Sequence, residues 1–265
     1  VSTEQAIGTA VWEARIVVAG TIALLYLWLN ASGTRNGYWH WLTNYFVVLA
    51  FSEVYLYWLS TYQRVFPDID FAYVSIFQAV ATFWYIVNTT VIMILVIAAH
   101  KLTDRRIHPI WSLLYAVPII SILYQGGSES AVWLPLNQWA YNYFRILGPL
   151  AAFSLIAFRS PRWWMQRVMR IITIVLGILW YAQNFLWAWA GRLWAIPDKA
   201  HLTGIFLDLL MGGWLLLLHL RRVEVQRDDA LAKLAEERTL LDQAVQVTAN
   251  GMEHEVAILK GQETS

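Results

Sequence analysis

Four ionisable side chains stand where the sequence is otherwise apolar: Arg15, Glu53, Arg145 and Asp208. Asp208 lies in FLDLLMGGWLLLLHLRR, residues 206 to 222, with hydrocarbon side chains for a turn on either side and the pair Gly212 and Gly213 following. Placing one charge at the centre of a bilayer costs about 2.5–3.5 kcal/mol on insertion scales, so each of these residues marks an ion or proton site or a pair buried between helices. Glu53 and Asp208 are the deepest acids, and both readings stand for each. Arg145 falls in the first half of its apolar stretch, where its stem can carry the head to the interface or the head can meet an acid across the bundle. Arg15 and Glu13 lie toward the outer end of the first stretch and read as interfacial.

Polar residues accompany these charges. Asn88, Thr89 and Thr90 follow Trp84 and Tyr85, and Tyr181, Gln183 and Asn184 lie between Trp180 and Trp187. Two tryptophans seven residues apart share nearly one helix face, with the polar pair between them. That spacing suits the wall of a flat, apolar ligand pocket. It equally suits packing between helices, where a polar contact is worth about 0.6 kcal/mol. If Glu53, Asn88, Thr89, Asn184 and Asp208 converge, they would line a path for a cation or proton.

Other chemistry finds no support. With no cysteine, disulfides, thiol catalysis and thiolate metal sites are excluded. The histidines, His40, His100, His108, His201, His219 and His254, are scattered without metal-ligand spacing. Neither a nucleophile motif nor a phosphate-cradling glycine loop is visible. We therefore expect no catalytic and no metal residue, and a protein that is not an enzyme. The net charge of +1 offers no basic patch dense enough for nucleic acid.

The elements that must position these residues follow from composition. Hydrophobic residues make up 58% of the 265 and charged residues 14%, which places the chain in the membrane class. A helix needs about 20 apolar residues to cross the hydrocarbon layer. Seven stretches approach that, at 14–31, 39–59, 71–98, 109–124, 137–158, 171–191 and 202–220. Long uniform stretches without alternation mean helices, because backbone polar groups in lipid must be satisfied within the segment. The expectation is an all-α membrane protein of seven transmembrane helices. Its first stretch reads as a retained span, since Glu4 and Glu13 precede or open it without a basic cluster.

Charge orients the spans. Arg35; Lys101, Arg105 and Arg106; Arg159, Arg162, Arg167 and Arg170; and Arg221 and Arg222 flank one side, ten basic residues against Arg64, Arg192 and Lys199 on the other. That asymmetry predicts an outside N-terminus and a cytoplasmic C-terminus, in a plasma or inner membrane. Trp39, Trp41, Trp58, Trp133, Trp139, Trp163, Trp164 and Trp194 lie near span ends and read as an interfacial belt.

From Arg221 onward the composition changes sharply to RRVEVQRDDALAKLAEERTLLDQAVQV, rich in Glu, Lys, Ala and Leu. Three segments result: a bundle over 1–222, a cytoplasmic amphipathic helix over 223–249 with coiled-coil potential, and a flexible tail over 250–265 after Asn250 and Gly251. Ala230, Leu231, Leu234, Leu241, Ala244 and Val245 fall roughly on one stripe, broken by Arg238. The stripe fits either an exposed tail or a docking surface for a second copy or another membrane or cytoplasmic protein.

The last two spans resemble those of the microbial rhodopsins. LWYAQNFLWAWAG, residues 179 to 191, is similar to that family's sixth helix, whose two tryptophans bracket the retinal ring; Trp180 and Trp187 take those places, and Asn184 stands for the usual proline. FLDLL resembles the seventh-helix stretch whose aspartate belongs to the Schiff-base counterion, which makes Asp208 that residue. Trp84 resembles the tryptophan covering the polyene, with Thr89 and Thr90 loosely at the family's polar pair, but Phe83 stands where the primary proton acceptor belongs. In the family a lysine follows the aspartate by four residues; here that place is Gly212. The resemblance thus implies a cofactor-binding set of Trp84, Trp180, Trp187, Asp208 and Gly212, and the missing lysine removes its chemistry.

A Schiff base requires a primary amine, and Lys101, Lys199, Lys233 and Lys260 all lie outside the spans. Covalent retinal is therefore not expected, while retinal, a carotenoid or a lipid held without a covalent bond fits the pocket. The expectation is a rhodopsin-like membrane sensor or scaffold, surrounded by lipid and meeting partners through 223–249. The competing expectations are a cation or proton channel using Glu53 and Asp208, and an accessory subunit of a larger membrane complex. Any visible absorbance of the purified protein should be wholly extracted by organic solvent; colour that stays with the denatured chain contradicts this chemistry.

Overall fold

The computed structural model describes residues 3–31, 37–65, 75–125, 135–190 and 197–263. Within them are seven α-helices and no strand: α1 (Thr3–Ala31), α2 (Gly37–Val65), α3 (Ser75–Leu102), α4 (Ile110–Gln125), α5 (Pro135–Arg159), α6 (Arg167–Ala190) and α7 (Pro197–Glu263). Each expected apolar stretch falls on its own helix. Three helices are long and apolar enough to cross a membrane, at Thr9–Ala31, Tyr85–Leu102 and within Leu202–Ala249. α4 carries a shorter apolar run, Ile110–Ile120.

Helix ends show local causes. α3 closes with Asp104 in the left-handed region at φ 54°, while Arg105 N–H donates to the His100 carbonyl at 2.9 Å and Asp104 N–H to that of Lys101 at 3.3 Å. This pairing satisfies carbonyls that the helix end would otherwise orphan. α5 stops before Pro161, whose ring cannot continue the ladder. Arg170 of α6 donates to Ala157 O in the last turn of α5 at 2.6 Å and, in the connection that follows, to Ser160 O at 2.7 Å and Met165 O at 3.3 Å. One guanidinium thereby caps α5, complements its negative end and holds the α5–α6 connection.

The chain divides into two compact units, Val1–Leu217 and Leu218–Ser265. In the first, α2 packs against α1 and α3, α3 against α4 and α5, and α5 against α4 and α6. Trp214 of α7 donates its indole N–H to Thr173 Oγ1 of α6 at 3.0 Å, and Tyr26 of α1 donates to the Gly212 carbonyl of α7 at 2.8 Å. α7 thus meets both α6 and α1. Small residues allow close approach, the usual device where lipid gives no hydrophobic drive. A Cβ on Gly148 would overlap Ile92 of α3, and one on Gly177 would come within 2.7 Å of Phe153 Cβ in α5.

The first unit exposes apolar faces among its described residues: Val17, Leu24 and Trp28 on α1, Leu113 and Ile120 on α4, and Phe206 and Leu210 on α7. Such continuous apolar faces match a lipid surround. Two tryptophans depart from the expected belt. Trp39 and Trp164 are fully buried, and Trp39 stacks on Tyr26 with ring centres 4.6 Å apart. Proximity to a span end does not decide whether a ring points outward, so Trp58 and Trp163 are exposed while these two join the core.

The second unit is helical and runs past Asn250 and Gly251 to Glu263, where the sequence reading places a break and a flexible tail. Two residues of low helix propensity cost only about 1 kcal/mol each or less, too little to end a helix flanked by strong formers. Every side chain from Gln226 to Ala249 is exposed.

Replacing Arg170 by Met should lower bundle stability by roughly 2–3 kcal/mol, the worth of charge-assisted hydrogen bonds to carbonyls, with Arg170→Lys recovering part of it. Thermal unfolding in detergent measures both; an unchanged midpoint for Arg170→Met contradicts the capping role.

Candidate functional site

Asp208 is 1% exposed and faces α1, where its partner is Arg15. Arg15 Nε lies 3.4 Å from Asp208 Oδ2, and Arg15 Nη2 lies 3.0 Å from Glu53 Oε1 of α2. One guanidinium therefore ties two carboxylates from different helices. The interfacial reading of Arg15 is corrected: the residue is 8% exposed, at the centre of the cluster. Its spacing from the apolar run suggests the interface, but Gly204, one turn before Asp208, leaves a recess that the guanidinium fills. A Cβ there would approach Arg15 Cζ to 2.8 Å and Nε to 3.0 Å.

The carboxylate of Asp208 also feels the charge of Arg145 on α5, and Tyr45 of α2 lies within the field of Arg15, Glu53 and Asp208. Tyr45 sends its hydroxyl toward Met211 Sδ at 3.8 Å. Among the described residues Glu53 Oε2 and Asp208 Oδ1 have no hydrogen-bond donor, although both are buried. A buried acceptor left unpaired is expensive, so these atoms mark where a proton or cation would be stabilised.

Gly212 faces α1. Its missing side chain accommodates Ile22, whose Cγ2 would stand 3.1 Å from an added Cβ, and its carbonyl accepts from Tyr26. Asn88 of α3 is half-buried and donates to Ser52 Oγ, the neighbour of Glu53, at 2.7 Å. Thr89 is buried but returns its hydroxyl to Tyr85 O of its own helix at 2.8 Å. Thr90 likewise donates to Ile86 O of its own helix at 2.8 Å, and its oxygen also meets the Tyr115 hydroxyl of α4 at 2.9 Å. Trp180 is half-buried on α6. The side chains of Trp84, Asn184 and Trp187 lie outside the described residues.

Among the described residues no group of histidines, cysteines and acids could hold a metal ion. A groove of about 320 Å³ lies between α4 and α5, lined by Trp111, Leu114, Tyr143, Phe144, Leu147 and Ala151 among others. It contains none of the residues expected to hold a ligand. Aromatic residues this abundant give no sequence signal that would single these out.

No protein-family model, curated protein or solved structure matches the chain. The chemistry of the site accordingly rests on its own geometry.

Arg15→Met should destabilise the bundle by about 3–5 kcal/mol, because it strands two buried carboxylates. Adding Glu53→Gln and Asp208→Asn to it should restore most of the loss. Denaturation of the single and triple variants in detergent distinguishes this from a packing effect, under which the triple variant is the less stable.

Proposed function

We propose that the chain is a non-enzymatic membrane sensor or scaffold of seven transmembrane helices, N-terminus outside and C-terminus cytoplasmic. In this reading the Arg15–Glu53–Asp208 cluster sets the seating of α7, and the exposed helix beyond it meets other proteins. The observation carrying it is that Asp208, ion-paired to α1, belongs to the same helix as the exposed residues 226–249. A change in the cluster then alters the element that presents the docking surface, the requirement for a two-state coupling. The ten-to-three asymmetry of basic residues supports the orientation. The likeness to microbial rhodopsins enters through Trp180, Asp208 and the number of helices, with retinal, a carotenoid or a lipid bound without a covalent link or with the cofactor lost. An accessory role in a larger membrane complex is a form of the same reading.

A second reading is favoured by Glu53 Oε2 and Asp208 Oδ1, which among the described residues are buried without donors. Two carboxylates in contact with one guanidinium suit a cation or proton path, with Asn88, beside Ser52, extending it to α3.

The chain lacks cysteine, so a spin label on a single introduced thiol at Gln243 reports the tail alone. Asp208→Asn in lipid vesicles should change that label's mobility, and proton or cation flux should stay at the level of empty vesicles. An unchanged spectrum overturns the coupling. Flux that Glu53→Gln and Asp208→Asn abolish selects the path.

A further inference from the structure

The tail of α7 presents an apolar seam that is exposed among the described residues. Leu231, Leu234, Leu241, Val245 and Met252 are each more than half exposed. Numbered from Leu231 as position a, the seam reads Leu231 (a), Leu234 (d), Arg238 (a), Leu241 (d), Val245 (a), Thr248 (d) and Met252 (a), the 3–4 alternation of a two-stranded coil. The ion pair of Lys233 with Asp229, at 2.9 Å, sits away from it at c and f positions, while Arg227, paired with Asp228 at 3.2 Å, takes the d place just before Leu231, where the apolar seam begins. The Asp229 carboxylate raises the Lys233 ammonium above its ordinary value, leaving that cation committed along its own helix.

Arg238 interrupts the seam, yet its neighbours answer its charge. Glu237 occupies the preceding g position and Asp242 the following e position. In a parallel pair, a side chain at a packs into a hole that includes g of the other helix, and g faces e across the seam. Glu237 and Asp242 would repel one another there in the absence of a cation, and Arg238 supplies one from each strand. Arg238 can meet Asp242 one turn along its own helix, but Glu237 approaches Asp242 across the seam, and needs the cation, only when two parallel copies run in register. Copies inserted in one membrane with one topology also send their tails from the same face, so the strands run parallel.

We propose that residues 231–252 form a parallel two-stranded coiled coil with the same segment of a second copy, with Arg238 and the Glu237 and Asp242 carboxylates as its register-setting layer. This rests on the membrane reading for the common direction of the two tails. It identifies the partner of the docking helix as this chain itself. A polar residue at one a position costs stability and specifies alignment, so the arginine layer is a device for pairing like with like.

The absence of native cysteine makes single-thiol crosslinking of the full chain in lipid vesicles decisive. Under mild oxidation Leu234→Cys and Leu241→Cys should give mostly covalent dimer, and Glu236→Cys and Gln243→Cys, at outward f positions, at least fivefold less. Combining Leu241→Cys with Glu237→Lys and Asp242→Lys, which leaves Arg238 among cations, should reduce the dimer severalfold. Adding Arg238→Glu to that background, which gives the mirror image of the native charges, should recover it. Equal crosslinking at d and f positions, or dimer insensitive to the charge changes, overturns the coil. A different protein crosslinked in place of the second copy overturns it too. Because the spin-label response to Asp208→Asn is read separately, loss of the coil leaves the coupling of cluster to tail standing or falling on its own measurement.

Discussion

A guanidinium buried between α1, α2 and α7 is the constraint on which the first unit depends. Arg15 must be both desolvated and paired, and it achieves this only where Glu53, Asp208 and the recess at Gly204 coincide. Desolvating an ion costs several kcal/mol even after relaxation, so the pairs add little net stability but make any other seating of these helices costly. In lipid the penalty cannot be relieved by water at the same depth. Charge therefore selects one arrangement, and apolar packing stabilises it.

The packing around the cluster follows the same logic by other means. Tyr26 stacks on Trp39, lies 4.4 Å between ring centres from Phe46, and spends its hydroxyl on the Gly212 carbonyl. An amphipathic ring thus fills space between α1 and α2 while satisfying its polar end on α7. Glycine serves α7 twice, at Gly204 for a cation and at Gly212 for Ile22. At Gly212, α1 takes the volume that the rhodopsin likeness assigns to a lysine, and Asp208 finds its cation on α1 instead.

The tail obeys different physics. Water satisfies its backbone ends and its charges, and single helices of its kind gain most of their stability from a covered apolar face. A helix that is apolar enough to cross a membrane in one part and charged and exposed in another places both requirements on a single element. That is why the function proposed for α7 concerns coupling and assembly, with no reaction assigned to it.

The sequence by itself determined the elements. Seven apolar stretches and the change of composition after Arg222 are one-dimensional properties; among the described residues each stretch lies on its own helix, and the two compact units divide close to that change. Asp208 and Glu53 were legible as costly residues because burial cost depends on residue type and local surroundings. Their partner was not. Arg15 and Asp208 lie 193 positions apart, and no local pattern encodes which way two helices turn toward each other. The same holds for Trp39 and Trp164, which their positions near span ends place at the interface and packing places inside. Only the tertiary structure decided that Asp208 answers a guanidinium of α1, since direction and distance between helices arise from packing the whole set at once.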